Sequence, residues 1–257
     1  MTTARKTGAC FWAGFCCWFT LIILPGFAFA NPASSSFSLS ADALQAQVDK
    51  LLPHRQLIQR HLLRNQETLL DIEQVLRDKQ LPANLALLPM IESTFRVDAV
   101  SSANAAGLWQ LIPATAERFG LQVQANNDER FDVKKSTQAA VAYLSFLYNK
   151  FDQDLALTLA AYNAGEGRVS RAMKKANSRQ FTALSLPKET RDYVHKFHAL
   201  LSLVDLDALT RQASSKDPLL RLSISRPPTD METRILTDLF AKREVINMSP
   251  VKPLIPL

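Results

Sequence analysis

Cysteine is confined to the start of this 257-residue chain, at Cys10, Cys16 and Cys17. Everything beyond therefore lacks a disulfide, a thiolate nucleophile and a cysteine-ligated zinc site. Glycine is scarce as well, with 7 in all, and strand-like alternation is rare before Thr210. Together with a hydrophobic share of 47% this points to a helix-rich globular protein and away from disordered or all-β classes. No run of Lys and Arg is interleaved with aromatics, so nucleic acid is not an expected partner. There is no Gly-x-Ser-x-Gly elbow for Ser-His-Asp chemistry. His195 and His198 stand three apart with no third ligand at a usual spacing, so neither a metal nor any other cofactor is expected.

What is present begins with a pattern of export. Arg5 and Lys6 precede an apolar run from Ala9 to Leu24, then Pro25-Gly26, then Ala28-Phe29-Ala30 before Asn31. Small residues at the Ala-x-Ala positions predict cleavage after Ala30, and membrane contact only through this segment if it stays uncleaved. The expected localisation is export to the periplasm, in association with the cell envelope. Removing Arg5 and Lys6, and no acid, takes the formal charge from +6 to +4. A mild positive excess suits an anionic polymer or membrane surface without singling one out.

The expected organisation is a signal peptide over 1–30, a linker and helical preface over 31–80, a catalytic domain over 81–209 and a proline-containing basic tail over 210–257. In the preface, amphipathic spacing predicts helices from Ala41 to Leu52 and from Gln56 to about Lys79, through Leu57, Leu62, Leu69, Ile72 and Val75. Pro82 opens a further, largely apolar helix, "ANLALLPMIES". Others are predicted at Lys134 to Phe151, at Leu155 to Tyr162 with a stop at Gly165, and from about Pro187 through Val204. The last segment is proline-rich and keeps helical periodicity only near Glu232 to Lys242.

Four stretches carry candidate chemistry. "LLPMIESTF" delivers a lone carboxylate, Glu92, out of an apolar helix end. Apolar surroundings disfavour an ionised carboxyl, which suits a general acid near neutral pH. An exposed helix-end glutamate would look the same in sequence. Fifteen residues on, "GLWQLIPATAERFGL" offers Gly107 for close backbone approach or an unusual dihedral, Trp109 as a flat ring and Gln110 as an amide. Trp109 and Leu111 are equally readable as core. "LTLAAYNAGEGRV" presents Tyr162 and Asn163 at a helix terminus that turns on Gly165 and Gly167, and "LPKETRDYV" puts Glu189 and Tyr193 four apart on one helix face, where they could also be a structural pair.

In order and spacing, these four segments over Leu81 to Leu206 resemble lytic transglycosylases of the soluble-transglycosylase type, a lysozyme-like all-α family that cuts peptidoglycan. "GLWQ" and "NNDERFDVKKSTQAAVAYL" are most similar to the membrane-bound transglycosylase D group. The resemblance implies an all-α, lysozyme-like transglycosylase domain with an N-terminal helical preface and a short C-terminal appendage. It implies catalysis by Glu92, in a Glu-Ser pair with Ser93, and substrate binding by Ser101, Ser102, Gly107, Leu108, Trp109, Gln110, Tyr162, Asn163, Glu189 and Tyr193. The implied partner is the peptidoglycan glycan strand, and the implied reaction forms 1,6-anhydro muramoyl ends with one glutamate acting as acid and then base.

Two departures from the group stand out: no LysM module is recognisable in Thr210 to Leu257, and no lipid-anchoring cysteine follows the apolar run. A protein partner in the wall or a secretion machine is expected to supply attachment. Two other functions fit the same residues. A muramidase would admit water with Asp98 or Asp128 as base, since ordinary glycosidases use two carboxyls. A non-catalytic wall-binding scaffold would keep the groove without turnover.

Overall fold

A computed structural model describes residues 39–206, 208–209 and 227–240. The expected signal peptide, and the tail except for 227–240, lie outside the described residues. The described residues fall within one compact unit, Ser38–Leu257.

The preface forms three helices, α1 (Ala41–Leu51), α2 (Arg55–Arg64) and α3 (Gln66–Asp78), with a 3-10 turn at Leu52–His54. Apolar spacing predicts one helix from Gln56 to Lys79, but the chain breaks at Asn65. There the side-chain amide donates to the His61 carbonyl at 2.9 Å and so ends α2 locally. The two pieces still share one buried face, with Ile58, Leu62, Leu69, Ile72 and Leu76 all turned into a common core.

The next segment is also interrupted. Ala83–Leu87 is 3-10 and only Leu88–Glu92 is α-helical (α4). Pro89 explains the break, because it lacks an N–H and its ring crowds the carbonyl of residue 85, so it fits only in the first turn of a new helix. A long non-helical loop leads to α5 (Pro113–Arg118), a two-stranded antiparallel ribbon of β1 (Val123–Gln124) and β2 (Asn127–Asp128), and a 3-10 turn at Glu129–Phe131.

Helices α6 (Val133–Lys150) and α7 (Leu155–Ala164) start at Asp132 and Asp154, whose carboxylates each accept a backbone N–H at 2.8 Å, from Lys135 and Leu157. Every residue of α7 from Ala156 to Ala164 is buried, as expected of a helix that is apolar on all sides and runs through the middle of a core. Gly165, at φ +85°, ends α7, and Gly167 does not turn the chain but lies in the next helix, α8 (Glu166–Ala176). A 3-10 turn at Phe181–Ala183 leads to α9 (Lys188–Leu203), on which α1 packs.

Helix α10 (Asp230–Phe240) shows that part of the expected tail belongs to the core: Leu236 and Phe240 are buried in it. Its C-terminal end receives the Lys196 ammonium on the Leu239 carbonyl at 3.0 Å, a cation placed where helix carbonyls lack intrahelical partners. Glu232 pairs with Arg60 of α2 at 3.3 Å. Among the described residues the architecture is thus all-α apart from the short ribbon. Among the described residues no helix is long and apolar enough to cross a membrane.

Candidate active site

Glu92 is the last residue of α4 and is only 5% exposed. One contact reaches it directly, and two others tie down the chain that follows it. The phenol of Tyr193, from α9, donates to Glu92 Oε1 at 2.6 Å. From the Glu92 side the chain continues through Ser93, whose hydroxyl donates to the Leu108 carbonyl at 2.8 Å and so ties the end of α4 to the loop before α5. From α7, the Tyr162 hydroxyl donates to the neighbouring Trp109 carbonyl at 2.9 Å.

The backbone beyond Glu92 is unusual. Thr94 and Phe95 take φ of +52° and +58°, a left-handed pair of the kind rarely seen for β-branched and aromatic residues. Each such residue costs on the order of 1–3 kcal/mol and persists only where its surroundings enforce it. The enforcement is visible: the Pro89 carbonyl accepts from both Ser93 N–H at 3.0 Å and Phe95 N–H at 3.1 Å, and Phe95 is buried. The Thr94 carbonyl lies 2.9 Å from His61 Nε2 of α2.

The loop from Ala99 to Leu111 is held by buried groups. Gly107 has φ +77°, and a Cβ there would come within 1.9 Å of the Arg130 carbonyl oxygen, so both a close approach and a glycine dihedral are required. The Gln110 amide nitrogen donates to the Ala99 and Gly107 carbonyls at 3.0 and 2.9 Å, so this end of the side chain staples the loop. Trp109 is 0% exposed and its indole N–H donates to Thr137 Oγ1 at 3.0 Å. Its ring therefore packs in the core, and what it brings to the site is the backbone carbonyl that Tyr162 grips. Leu108 is buried beside it. Ser101 is half-buried and its hydroxyl accepts from Ala105 N–H at 3.1 Å, while Ser102 is exposed. Asn163 follows Tyr162, and its Oδ1 is buried with no hydrogen-bond partner among the described residues. Glu189 is half-buried one helical turn before Tyr193.

Sequence reasoning missed one set of residues that shapes this loop. Arg130, 4% exposed, forms a forked ion pair with Asp128, with Nη2 to Oδ2 at 2.6 Å and Nε to Oδ1 at 2.9 Å. Its Nη1 donates to the Asn104 and Leu111 carbonyls at 2.7 and 3.1 Å. The Arg130 hydrogen bonds hold the Asp128 carboxyl below the usual carboxylate range. The acid-x-Arg spacing of "NNDERF" hints at the pair, but nothing in sequence tells that the guanidinium reaches back to carbonyls on either side of Gly107.

Two surface depressions, of about 420 Å³ beside Gln56, Arg60 and Leu209 and of about 340 Å³ beside Phe119, Glu129 and Lys135, do not include Glu92. The site is marked by its chemistry and its enforced backbone rather than by cavity volume. Removing the phenol tests the Tyr193 contact. Tyr193→Phe is expected to lower turnover by about 10- to 100-fold through loss of its hydrogen bond to the Glu92 carboxyl, with the fold retained. An unchanged kcat would remove Tyr193 from the chemistry.

A buried carboxyl gripped by a phenol, at the end of a short helix in an all-α body, is an arrangement suited to acid–base chemistry by a single glutamate. Residues 72–185 match the family model of the transglycosylase SLT domain. The matched segment begins within α3. The chain is 40% identical over 167 residues to membrane-bound lytic murein transglycosylase D of Escherichia coli K12, covering 63% of this chain and 37% of that protein. It is 29% identical over 125 residues to soluble lytic murein transglycosylase of the same organism, covering 45% of this chain and 19% of that one. A solved structure of lytic transglycosylase Slt from Pseudomonas aeruginosa is 25% identical and covers 60% of this chain and 25% of its own, with a TM-score of 0.45. The chain therefore spans less than half the length of these relatives.

Proposed function

We propose that the protein is a peptidoglycan lytic transglycosylase that cleaves the β-1,4 bond between N-acetylmuramic acid and N-acetylglucosamine and leaves 1,6-anhydro muramoyl ends. The observation that carries this reading is the Tyr193 phenol on the buried Glu92 carboxyl at 2.6 Å, within a chain whose matched segment is a transglycosylase domain. The positions of the rival acids support it. Asp128 is committed to Arg130, and Asp98 is an exposed surface residue paired with Arg96 at 3.4 Å, so the two acids that could act as bases for water have other engagements.

In the proposed reaction, protonated Glu92 donates to the glycosidic oxygen as the bond to muramoyl C1 breaks. The muramoyl N-acetyl group stabilises charge at C1. The Glu92 carboxylate then takes the proton from the C6 hydroxyl as that oxygen bonds to C1, which returns the glutamate to its starting form and consumes no water. Because the nucleophile is part of the substrate, no second reactant has to be ordered, an advantage worth roughly 7 kcal/mol when geometry is right. The Tyr193 phenol stabilises the carboxylate between the two proton transfers. The Asn163 Oδ1 acceptor and Ser101 are assigned to the sugar and its acetamido group. Ser102, Gly107, Leu108, Trp109, Gln110, Tyr162 and Glu189 shape or line the groove, several of them through the backbone they hold. Action on envelope glycan follows, with residues 1–30 as the export segment and a wall or secretion-machine protein as the attachment partner.

Mass spectrometry of soluble products from purified peptidoglycan tests the reading. Anhydromuropeptides are expected. Reducing-end products would identify a muramidase instead, and glycan binding by folded protein without any product would identify a scaffold.

A further inference from the structure

Several buried and half-buried groups that the reaction does not use lie on α2 and α10, His61, Arg64 and Glu232 among them. His61 is the one that touches the turn after Glu92. Its Nε2 lies 2.9 Å from the Thr94 carbonyl. A carbonyl can only accept, and at 2.9 Å it is much nearer to Nε2 than the Asn65 amide nitrogen at 3.4 Å, so the geometry puts the proton of the neutral ring on Nε2. The other nitrogen, Nδ1, is buried with no hydrogen-bond partner among the described residues. The ring also stands 6.4 Å from the Phe95 ring, centroid to centroid, in a tilted arrangement. One side chain thus contacts both members of the left-handed Thr94–Phe95 pair.

The surroundings hold His61 in place from two further elements. Asn65 Nδ2 donates to the His61 carbonyl and ends α2 just beyond it. The charged groups facing it are Arg64 on α2 and Glu232 on α10, which lie 3.8 Å apart, and Glu232 also takes Arg60. Burial is the largest influence and lowers the proton affinity of the ring. The Thr94 carbonyl and Glu232 pull the other way and Arg64 adds to the lowering. The ring is therefore neutral near neutral pH and can hold a fixed tautomer.

We propose that His61, which lies outside the matched transglycosylase segment, is a positioning residue for Glu92, acting through the Thr94 carbonyl on the left-handed turn that aims the carboxyl. The pair at Thr94 and Phe95 is locally unfavourable, and Pro89 anchors it from within α4 while His61 anchors it from the preface. Loss of the outer anchor lets Thr94 relax toward an ordinary dihedral, which rotates the end of α4 and with it the direction of Glu92. Small misplacements of a reacting group carry large losses in rate with little loss in substrate binding.

The inference rests on the transglycosylase reading, and the experiment separates the two. His61→Ala, His61→Gln and His61→Asn are made in the full chain and assayed on soluble, uncrosslinked glycan strands. His61→Ala should lower kcat by about 10- to 100-fold and leave KM within about 2-fold. Gln places an amide nitrogen near the position of Nε2 and should recover most of the loss; Asn, which reaches only as far as Nδ1, should not. Equal losses in kcat for Ala, Gln and Asn, or a loss confined to KM, would overturn the proposal. Long-range proton–nitrogen NMR of the unsubstituted protein should show the Nε2–H tautomer at neutral pH, and a Nδ1–H ring would overturn it independently of activity. If the unsubstituted protein makes no product, the reaction reading fails. The backbone amide resonances of Glu92 to Phe95 then decide the positioning role: it stands if His61→Ala displaces them and His61→Gln restores them, and falls if they do not move.

Discussion

Glu92→Gln is expected to reduce anhydromuropeptide release to less than about a thousandth of the unsubstituted rate, with the fold unchanged. Both proton transfers in the proposed cycle pass through this one carboxyl, and an amide can perform neither. General acid–base catalysis by a single positioned group contributes typically about 10²- to 10⁴-fold, and here one group serves both halves of the cycle. A thousandfold loss corresponds to about 4 kcal/mol of transition-state stabilisation. The substitution nonetheless preserves shape, and glutamine keeps an oxygen that can accept from the Tyr193 phenol in place of the 2.6 Å contact. Thermal unfolding should therefore shift by no more than a few degrees. Residual turnover above about one hundredth, in protein with an unchanged unfolding transition, would transfer the chemistry to another residue. Should the glutamine variant lose its fold along with its activity, Glu92→Asp separates the cases: it retains the carboxyl but retracts it from Tyr193, and should fold and be slow.

The helices could be read from the sequence because they follow from periodicity and caps that act over a few residues. Ala41 to Leu51, Val133 to Lys150 and Leu155 to Ala164 begin or end within a residue or so of where spacing and Gly165 put them. The breaks at Asn65 and Pro89 are harder to see, because apolar spacing continues through both. At the site, Glu92 stands out in sequence as a carboxyl amid Leu87, Leu88, Met90 and Ile91, and the structure buries it there. What its partners do is not legible. Trp109 reads as either a sugar platform or a core residue, and only the three-dimensional environment shows the indole fully enclosed against Thr137. Tyr193 falls on a helix face with Glu189, but its phenol reaches across 101 positions of sequence to Glu92. His61 gives no local signal, and Arg130 gives only the acid-x-Arg spacing that hints at its ion pair. Each acts on a backbone carbonyl in a distant loop, and a carbonyl looks the same in every residue type.

Gly107→Ala should be the most disruptive single-methyl change in the loop, and Gly120→Ala provides its control. Both glycines have left-handed backbones, at φ +77° and +91°, so an added side chain strains both dihedrals. That strain is on the order of 1–2 kcal/mol. The two differ in space. Nothing lies within 4 Å of a Cβ at Gly120, whereas a Cβ at Gly107 would stand 1.9 Å from the Arg130 carbonyl oxygen. A contact that short cannot be absorbed by turning a side chain, because the obstacle is backbone, and Arg130 is itself fixed by Asp128 and by the Asn104 and Leu111 carbonyls. The loop or the 3-10 turn at Glu129–Phe131 must move, and neither can move without breaking buried hydrogen bonds. The expected cost is about 3 kcal/mol or more beyond that of Gly120→Ala, near the upper range for single substitutions. For a chain of this size that separates the two melting temperatures by roughly 6–12 °C. The loop also carries the Leu108 and Trp109 carbonyls that Ser93 and Tyr162 hold, so whatever Gly107→Ala protein remains folded should lose turnover as well. Equal melting temperatures for the two alanine variants would mean that the loop and Arg130 are not packed as tightly as their backbone contact implies, and the rigid mounting argued for Glu92 would fall with it.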